Sequence, residues 1–122
     1  MKVLVVEDDP CQLEYLKHIV EDVYPAYDVE YKRLAENSTE SYADIAILDC
    51  NMKEGCTGIE LASQLKAANK DCVIVFYSVV EQGKKYMDMS MSGYDVLSKQ
   101  LTKNDLVECL KLAAHEALKR VQ

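Results

Sequence analysis

Short apolar runs recur along this sequence, and segments with helical spacing of apolar residues separate them. The clearest runs are "KVLVV" at 2–6, "DIAILD" at 44–49 and "CVIVFY" at 72–77. Runs this short and this apolar are typical of strands that are buried on both faces of a parallel sheet. Two weaker strand patterns, "YDVEYKR" and "YDVLSK", bring the number of predicted strands to five. The alternation predicts an α/β fold with helices on both faces of the sheet, because crossover connections are right-handed.

Turn and capping signals set the bounds of the predicted helices. The first helix is predicted to open at Pro10 after an Asp9 cap and to end before Pro25. Segment 34–42 has room for only one or two helical turns, so we expect a short second helix. The last helix is predicted to follow the capping box "TKND", which starts at Thr102.

Length, composition and charge limit the kind of protein this is. With 122 residues, of which 49% are hydrophobic and 29% charged, a single folded domain over 1–122 is expected. The longest apolar run near the start, "VLVV", is too short for a signal peptide or a membrane span, so we expect a cytoplasmic protein. The net charge of −7 disfavours direct binding of nucleic acid and favours a cation as partner.

The five cysteines are odd in number and form no C-x-x-C motif. This pattern indicates neither a disulfide framework nor a zinc site, and reduced thiols are expected. Cys50 and Cys56 flank the loop after Asp49 and could be sensitive to oxidation. A buried cysteine, however, more often acts as a small apolar residue.

Polar side chains follow four of the five predicted strands. In a parallel α/β sheet, ligands bind beyond the carboxyl ends of the strands. The residues at these ends are Glu7, Asp8, Asp9, Asp49, Ser78 and Lys99.

These strand ends combine several acids with one hydroxyl and one ammonium group. Two carboxylates about 4 Å apart repel by roughly 4 kcal/mol at an effective dielectric near 20, so such a cluster needs a cation. Mg²⁺ takes carboxylate ligands and leaves positions for phosphate oxygens, which indicates a site for Mg²⁺ and a phosphoryl group. In the structural alternative, "EDDP" only caps a helix, Asp49 only starts a turn, and Ser78 and Lys99 are a cap and a solvated end.

The motifs "VLVVEDDP", "AILDCNM", "VIVFYS" and "VLSK", in this order, resemble the receiver domain of bacterial two-component response regulators, of the chemotaxis-receiver type. The resemblance covers essentially the whole chain. It implies a doubly wound (βα)5 domain whose parallel sheet has the flavodoxin-like order 2-1-3-4-5. It also implies a regulatory protein, with self-catalysed phosphotransfer and dephosphorylation as its only chemistry.

The resemblance also implies roles for particular residues. Asp49 is similar to the phosphoacceptor, which takes a phosphoryl group from a sensor histidine kinase, a phosphotransfer protein or a small phosphodonor. Asp8 is similar to the direct Mg²⁺ ligand, Glu7 to its neighbour that acts through water, and Asn51 to the residue whose main-chain carbonyl binds the metal.

Two further residues carry roles at the phosphoryl group and in signal output. Ser78 matches the hydroxyl residue that turns towards the phosphoryl oxygen, and Lys99 matches the lysine that pairs with it. Output in the family often uses the face made by the fourth helix, fifth strand and fifth helix, which implies a downstream effector or a homodimer there. The predicted fourth helix carries three methionines, at 87, 89 and 91.

Several positions depart from the family's pattern. Lys53 stands where proline is usual, and the spacing from Asp49 to Gly58 is one residue longer. Val96 occupies the position of the switch aromatic. Gln100 replaces the proline after the lysine, so we expect a trans peptide bond before it, because a cis bond before a non-proline residue costs about 3 kcal/mol.

Two functions other than that of a phosphoacceptor share parts of this pattern. An aspartyl-phosphate phosphohydrolase also uses a strand-end aspartate, Mg²⁺ and a lysine, but commonly has a second aspartate where this chain has Asn51, and 122 residues leave little room for a substrate cap. The alternative function is a receiver-like interaction module that is not phosphorylated. The departures at Lys53, Val96 and Gln100 make it the second candidate. Against it stands the retention of all five residues at the strand ends: Glu7, Asp8, Asp49, Ser78 and Lys99.

Overall fold

The computed structural model describes residues 1–33, 42–49, 58–78, 95–98 and 101–120. Its strands are β1 (Lys2–Val6), β2 (Asp28–Lys32), β3 (Ile45–Asp49), β4 (Val73–Ser78) and β5 (Asp95–Ser98). Its helices are α1 (Pro10–Val23), α2 (Gly58–Ala68) and α3 (Lys103–Arg120).

The five strands form one parallel sheet in the order β2-β1-β3-β4-β5, which confirms the α/β fold and the flavodoxin-like order. Every residue of β3 is buried, as its apolar run predicts for a central strand. The edge strand β2 is only partly buried, and its sequence mixes charged and apolar residues. The order of the strands reverses between β1 and β3, so their carboxyl ends flank the crevice where such folds bind ligands.

One face of the sheet is covered by α1 and α3. Alternate strand residues point to this side because successive side chains of a strand face opposite ways. The buried cluster comprises Val3, Val5, Ile45, Ile47, Val73, Val75, Tyr77 and Leu97 of the strands, Leu16, Ile19 and Val20 of α1, Tyr24, and Leu106, Leu110, Ala113 and Ala117 of α3.

The other face is covered by α2. Its buried cluster joins Leu4, Val6, Ala46, Leu48, Ile74 and Phe76 of the strands to Ala43, Cys72 and the α2 residues Leu61, Ala62 and Leu65. Full burial of one such leucine, isoleucine or valine side chain stabilises the fold by about 1.5–3 kcal/mol. Helices on both faces confirm the doubly wound arrangement.

The capping signals also agree with the structure. The Asp9 side chain accepts hydrogen bonds from the backbone N–H groups of Cys11 and Gln12, and Pro10 opens α1. The Thr102 hydroxyl accepts a hydrogen bond of 3.3 Å from the Asp105 N–H at the start of α3. Both helices therefore begin where local hydrogen bonds satisfy their first free N–H groups.

Some predictions fall on other parts of the chain. The short second helix at 34–42, except for Tyr42, the helix between β4 and β5, and the Lys99–Gln100 peptide bond lie outside the described residues. None of the helices in the described ranges is long and apolar enough to cross a membrane.

Candidate functional site

The site begins with the neighbouring ends of β1 and β3. Val6 lies beside Leu48 in the sheet, so the next residues, Glu7 and Asp49, follow on adjacent strands. The Glu7 N–H donates to the Lys32 carbonyl at 3.0 Å, which continues the sheet hydrogen bonding one residue beyond β1. The backbone thus fixes both acids at the carboxyl edge of the sheet.

Three carboxylates meet at this edge. Glu7, Asp8 and Asp49 each offer an oxygen, and these oxygens lie within 4.8 Å of one another. Glu7 is fully buried, Asp49 is 5% exposed and Asp8 is half-buried. If all three are ionised, each pair repels by roughly 3 kcal/mol or more at an effective dielectric near 20. In that ionised state a bound cation stabilises the cluster.

The donors of this cluster fit a hard divalent cation. Mg²⁺ binds oxygen ligands at about 2.1 Å, so two ligands on opposite sides of one ion are about 4.2 Å apart. The separation of up to 4.8 Å needs only a small contraction to reach this geometry. Asp8, the most exposed of the three acids, leaves the cluster accessible to solvent.

Asp9, the fourth acid of this region, has a different role. Its carboxylate caps α1, and its N–H donates to Glu7 Oε1 at 3.2 Å. The structural reading of "EDDP" as a helix cap therefore holds for Asp9, while Glu7 and Asp8 join Asp49. One short motif both starts the helix and supplies the site.

Tyr77 and Gln12 form a contact beside the acids that the sequence did not reveal. The Tyr77 hydroxyl donates to Gln12 Oε1 at 3.2 Å, and Tyr77 is 1% exposed. Burial, the charge of Tyr15 and that of Glu7 raise the pKa of Tyr77 to about 12, so the phenol stays protonated at neutral pH. Strand alternation could have placed Tyr77 on the α1 face, but no sequence signal marks Gln12 as its partner.

The remaining predicted site residues are described only in part. Ser78 is the last residue of β4 and lies beside Ser98, the last residue of β5, so its backbone is at the same edge as Asp49. The side chain of Ser78 lies outside the described residues, as do Asn51 and Lys99 in full. Lys53, Gln100 and the two cysteines at 50 and 56 lie outside them as well.

Comparison with known protein families identifies the family of this chain. Residues 3–111 match the family described as the response regulator receiver domain. The chain belongs to this family. Membership confirms the resemblance of the sequence motifs and assigns the chain to two-component signalling in general. Receiver domains are regulatory, which favours this reading over a phosphohydrolase.

Solved structures of receiver domains have the same fold. A CheY-like response regulator receiver domain protein from Methanospirillum hungatei JF-1 is 21% identical, with a TM-score of 0.78 over 97% of this chain and 96% of that chain. The receiver domain of the Francisella response regulator 1452 is 21% identical, with a TM-score of 0.74 over 99% and 98% of the two chains. The BeF3-activated DrrB receiver domain is 17% identical, with a TM-score of 0.75 over 93% and 97%. No curated protein matches the sequence significantly.

Proposed function

We propose that this chain is a single receiver domain over 1–122 that accepts a phosphoryl group on Asp49 in the cytoplasm. The donor would be a sensor histidine kinase, a phosphotransfer protein or a small phosphodonor. The observation that carries the proposal is the convergence of Glu7, Asp8 and Asp49 at the carboxyl edge of a receiver fold. A cluster of acids that could hold Mg²⁺ is the part of the site that phosphoryl transfer with this ion requires.

In the proposed reaction, an oxygen of the Asp49 carboxylate attacks the phosphorus of the donor. A bond forms between Asp49 Oδ and phosphorus while the bond from phosphorus to the donor's nitrogen or oxygen breaks. The leaving group keeps the bonding electrons: the imidazole nitrogen of a phosphohistidine donor takes up a proton, whereas acetate leaves acetyl phosphate as the anion. Asp49 ends β3, which pairs with a strand on each side, so its carboxylate is held in place for in-line attack.

The acids next to the nucleophile would hold Mg²⁺. Asp8 and Asp49 are the proposed direct ligands, with Glu7 acting through water and Asn51 through its main-chain carbonyl. When bound, Mg²⁺ neutralises the charge of the transferring phosphoryl group. Glu7 and Asp8 follow β1, the strand beside β3, so they would hold the ion next to Asp49.

Ser78 and Lys99 are the proposed phosphoryl contacts after transfer. The acyl phosphate adds nearly two negative charges beside the β4 and β5 ends, so the Ser78 hydroxyl and the Lys99 ammonium gain a strong acceptor. This change would shift the population of the loops that carry them. The face that the family often uses for output, which here would comprise the helix predicted from the sequence between β4 and β5, β5 itself and α3, would transmit the change to an effector or to a second copy of the chain.

Phosphorylation in vitro tests the proposal. The full chain is incubated with acetyl phosphate and MgCl₂, and its intact mass is measured. We expect wild type to gain one phosphoryl mass, Asp49→Ala to gain none, and a control, Asp28→Asn, to behave as wild type because Asp28 is an exposed carboxylate on the edge strand. A second arm replaces acetyl phosphate with BeF3, the species that activates the DrrB receiver domain.

Two outcomes would contradict the proposal. A wild-type chain that stays unmodified with acetyl phosphate and with its cognate kinase would be the interaction module that is not phosphorylated. A phosphoryl group that remains after Asp49→Ala would place the acceptor elsewhere. Omission of MgCl₂ in the presence of EDTA is expected to prevent the modification.

A further inference from the structure

A continuous set of contacts runs from Glu7 into the first turn of α1. Glu7 Oε1 accepts a hydrogen bond of 3.2 Å from the Asp9 N–H. Asp9 Oδ1 in turn accepts one of 3.4 Å from the Gln12 N–H. The position of the Glu7 carboxylate is therefore tied to the position of Gln12.

The contacts continue from Gln12 to the other side of the acidic cluster. Gln12 Oε1 accepts a hydrogen bond from the Tyr77 hydroxyl, across 65 residues of sequence. Tyr77 is the neighbour of Asp49 in the pairing of β3 with β4. The path thus starts at one carboxylate of the cluster, Glu7, and ends at the strand position beside another, Asp49.

Repulsion among the three carboxylates explains how these contacts affect the site. The sheet holds the backbones of Glu7 and Asp49 at the ends of β1 and β3, so repulsion among the acids acts mainly on the β1–α1 connection that starts at Asp8. Mutual repulsion of the carboxylates pushes that connection away from β3. A hydrogen bond between the first turn of α1 and β4 opposes this movement, and it lies in a region where Tyr77 is shielded from water.

We propose that Tyr77 and Gln12 are positioning residues for the divalent cation site, because their hydrogen bond fixes the first turn of α1 relative to β4. The inference rests on the proposed Mg²⁺ site and adds two residues that touch neither metal nor phosphoryl group. The site then holds its acids near the separation that one ion requires before the ion arrives.

Two tyrosines of the same core provide a matched comparison. Tyr24 is also buried, and its hydroxyl donates to the Leu110 carbonyl of α3. Tyr77→Phe and Tyr24→Phe each remove one phenol oxygen and one hydrogen bond while the ring stays. They differ in that only the Tyr77 bond leads to Gln12 and the acidic cluster.

Isothermal titration of the full chain with MgCl₂, without phosphodonor, measures the effect. We expect Tyr77→Phe to raise the Kd for Mg²⁺ about three- to tenfold, because the acids of the metal-free variant move apart and must be brought together when the ion binds. The value of one ordinary hydrogen bond is the upper limit of this cost. Tyr24→Phe is expected to keep the wild-type Kd. Urea unfolding of both variants shows whether they lose similar stability, which separates positioning from general destabilisation.

Gln12→Met removes the same hydrogen bond by deleting its acceptor, at a half-buried position of α1. We expect it to raise the Kd as Tyr77→Phe does, and the double variant to add nothing, since both remove one bond. Equal Kd values for wild type, Tyr77→Phe and Gln12→Met would overturn the positioning role and leave the metal site standing. A wild-type chain that binds no Mg²⁺ would overturn the metal site itself and the inference with it.

Discussion

Asp49 is the last residue of a strand whose other four members are apolar and buried. Its side chain is 5% exposed and lies in a cluster with two other acids. Burial and like charges both disfavour an ionised carboxylate, so we expect this residue to lower the stability of the metal-free protein. Such a local loss of stability is expected where a residue is kept for its chemistry rather than for its packing.

Asp49→Asn tests this conflict between stability and function. The substitution keeps the shape of the side chain and removes one charge from the cluster. In EDTA we expect the free energy of unfolding of the variant to exceed that of wild type by about 1 kcal/mol. The substitution removes the repulsion between Asp49 and the other acids, and solvent screening makes that repulsion smaller than the roughly 3 kcal/mol of an unscreened pair. Urea unfolding followed by circular dichroism measures the difference.

With Mg²⁺ present, wild type rather than Asp49→Asn should have the higher free energy of unfolding. Wild type is expected to gain about 2.7 kcal/mol at a Mg²⁺ concentration of 100 times Kd, because only the folded state binds the ion. Asp49→Asn should gain much less. The control Asp28→Asn should follow wild type in both conditions, and an Asp49→Asn variant less stable than wild type in EDTA would contradict the repulsion argument.

The first turn of helix α1 affects both the stability of that helix and the geometry of the acidic site. Its cap, Asp9, bonds the N–H groups of the first turn, and that turn carries Gln12 towards Tyr77. Helix α3 has an equivalent cap at Thr102. The two caps have similar local chemistry but lie in different surroundings, because Asp9 directly follows Glu7 and Asp8 whereas Thr102 opens the last helix.

Removing each cap in turn should distinguish effects on helix stability from effects on Mg²⁺ binding. Asp9→Ala and Thr102→Ala are each expected to lower the free energy of unfolding by about 1 kcal/mol. Only Asp9→Ala should also weaken Mg²⁺ binding in calorimetry, since it loosens the first turn of α1. Asp9→Asn retains a capping oxygen without the charge, so it should bind Mg²⁺ more tightly than Asp9→Ala does; equal affinities would show that charge alone matters.

At the scale of helices and strands, apolar runs and capping residues predicted most of the structure. The runs "KVLVV" and "DIAILD" predicted β1 and β3 to within a residue, because a strand buried on both faces admits few polar residues. The convergence of Glu7, Asp8 and Asp49 followed from the rule for strand ends. The Asp9 cap was also predicted, because it depends on local hydrogen bonds. The Tyr77–Gln12 bond was not, since it depends on the packing of α1 against the sheet, which local sequence does not encode.

For the whole molecule, the two core clusters contain groups that should ionise less readily in the folded state. Burial raises the pKa of the Cys72 thiol to about 11, with Lys66 acting in the opposite direction. Burial, and then the charge of Tyr27, raise the pKa of Tyr24. Cys72 belongs to the core under α2 and Tyr24 to the core under α1 and α3, so both faces of the sheet carry an alkaline-sensitive group.

Stability should therefore fall as the solution becomes alkaline. Below about pH 8 both groups are protonated in the folded and unfolded states, and their contribution is fully present. Above the ordinary thiol pKa of about 8.5, the unfolded chain loses a proton that folded Cys72 retains until about pH 11, so unfolding becomes easier. Tyr24 and Tyr77, whose pKa burial also raises, add a second decline above about pH 10. Each group contributes at most about 1.4 kcal/mol per pH unit.

Urea unfolding between pH 8 and pH 10.5 measures this slope, and three variants assign it. Cys72→Ala should flatten the curve from about pH 9, and Tyr24→Phe should flatten it only above about pH 10. Cys11→Ala, which removes an exposed thiol, should leave the slope unchanged. The slope is the deciding quantity because Cys72→Ala and Tyr24→Phe also lower stability at every pH. A Cys72→Ala curve parallel to that of wild type would show that burial of the thiol does not govern the alkaline decline.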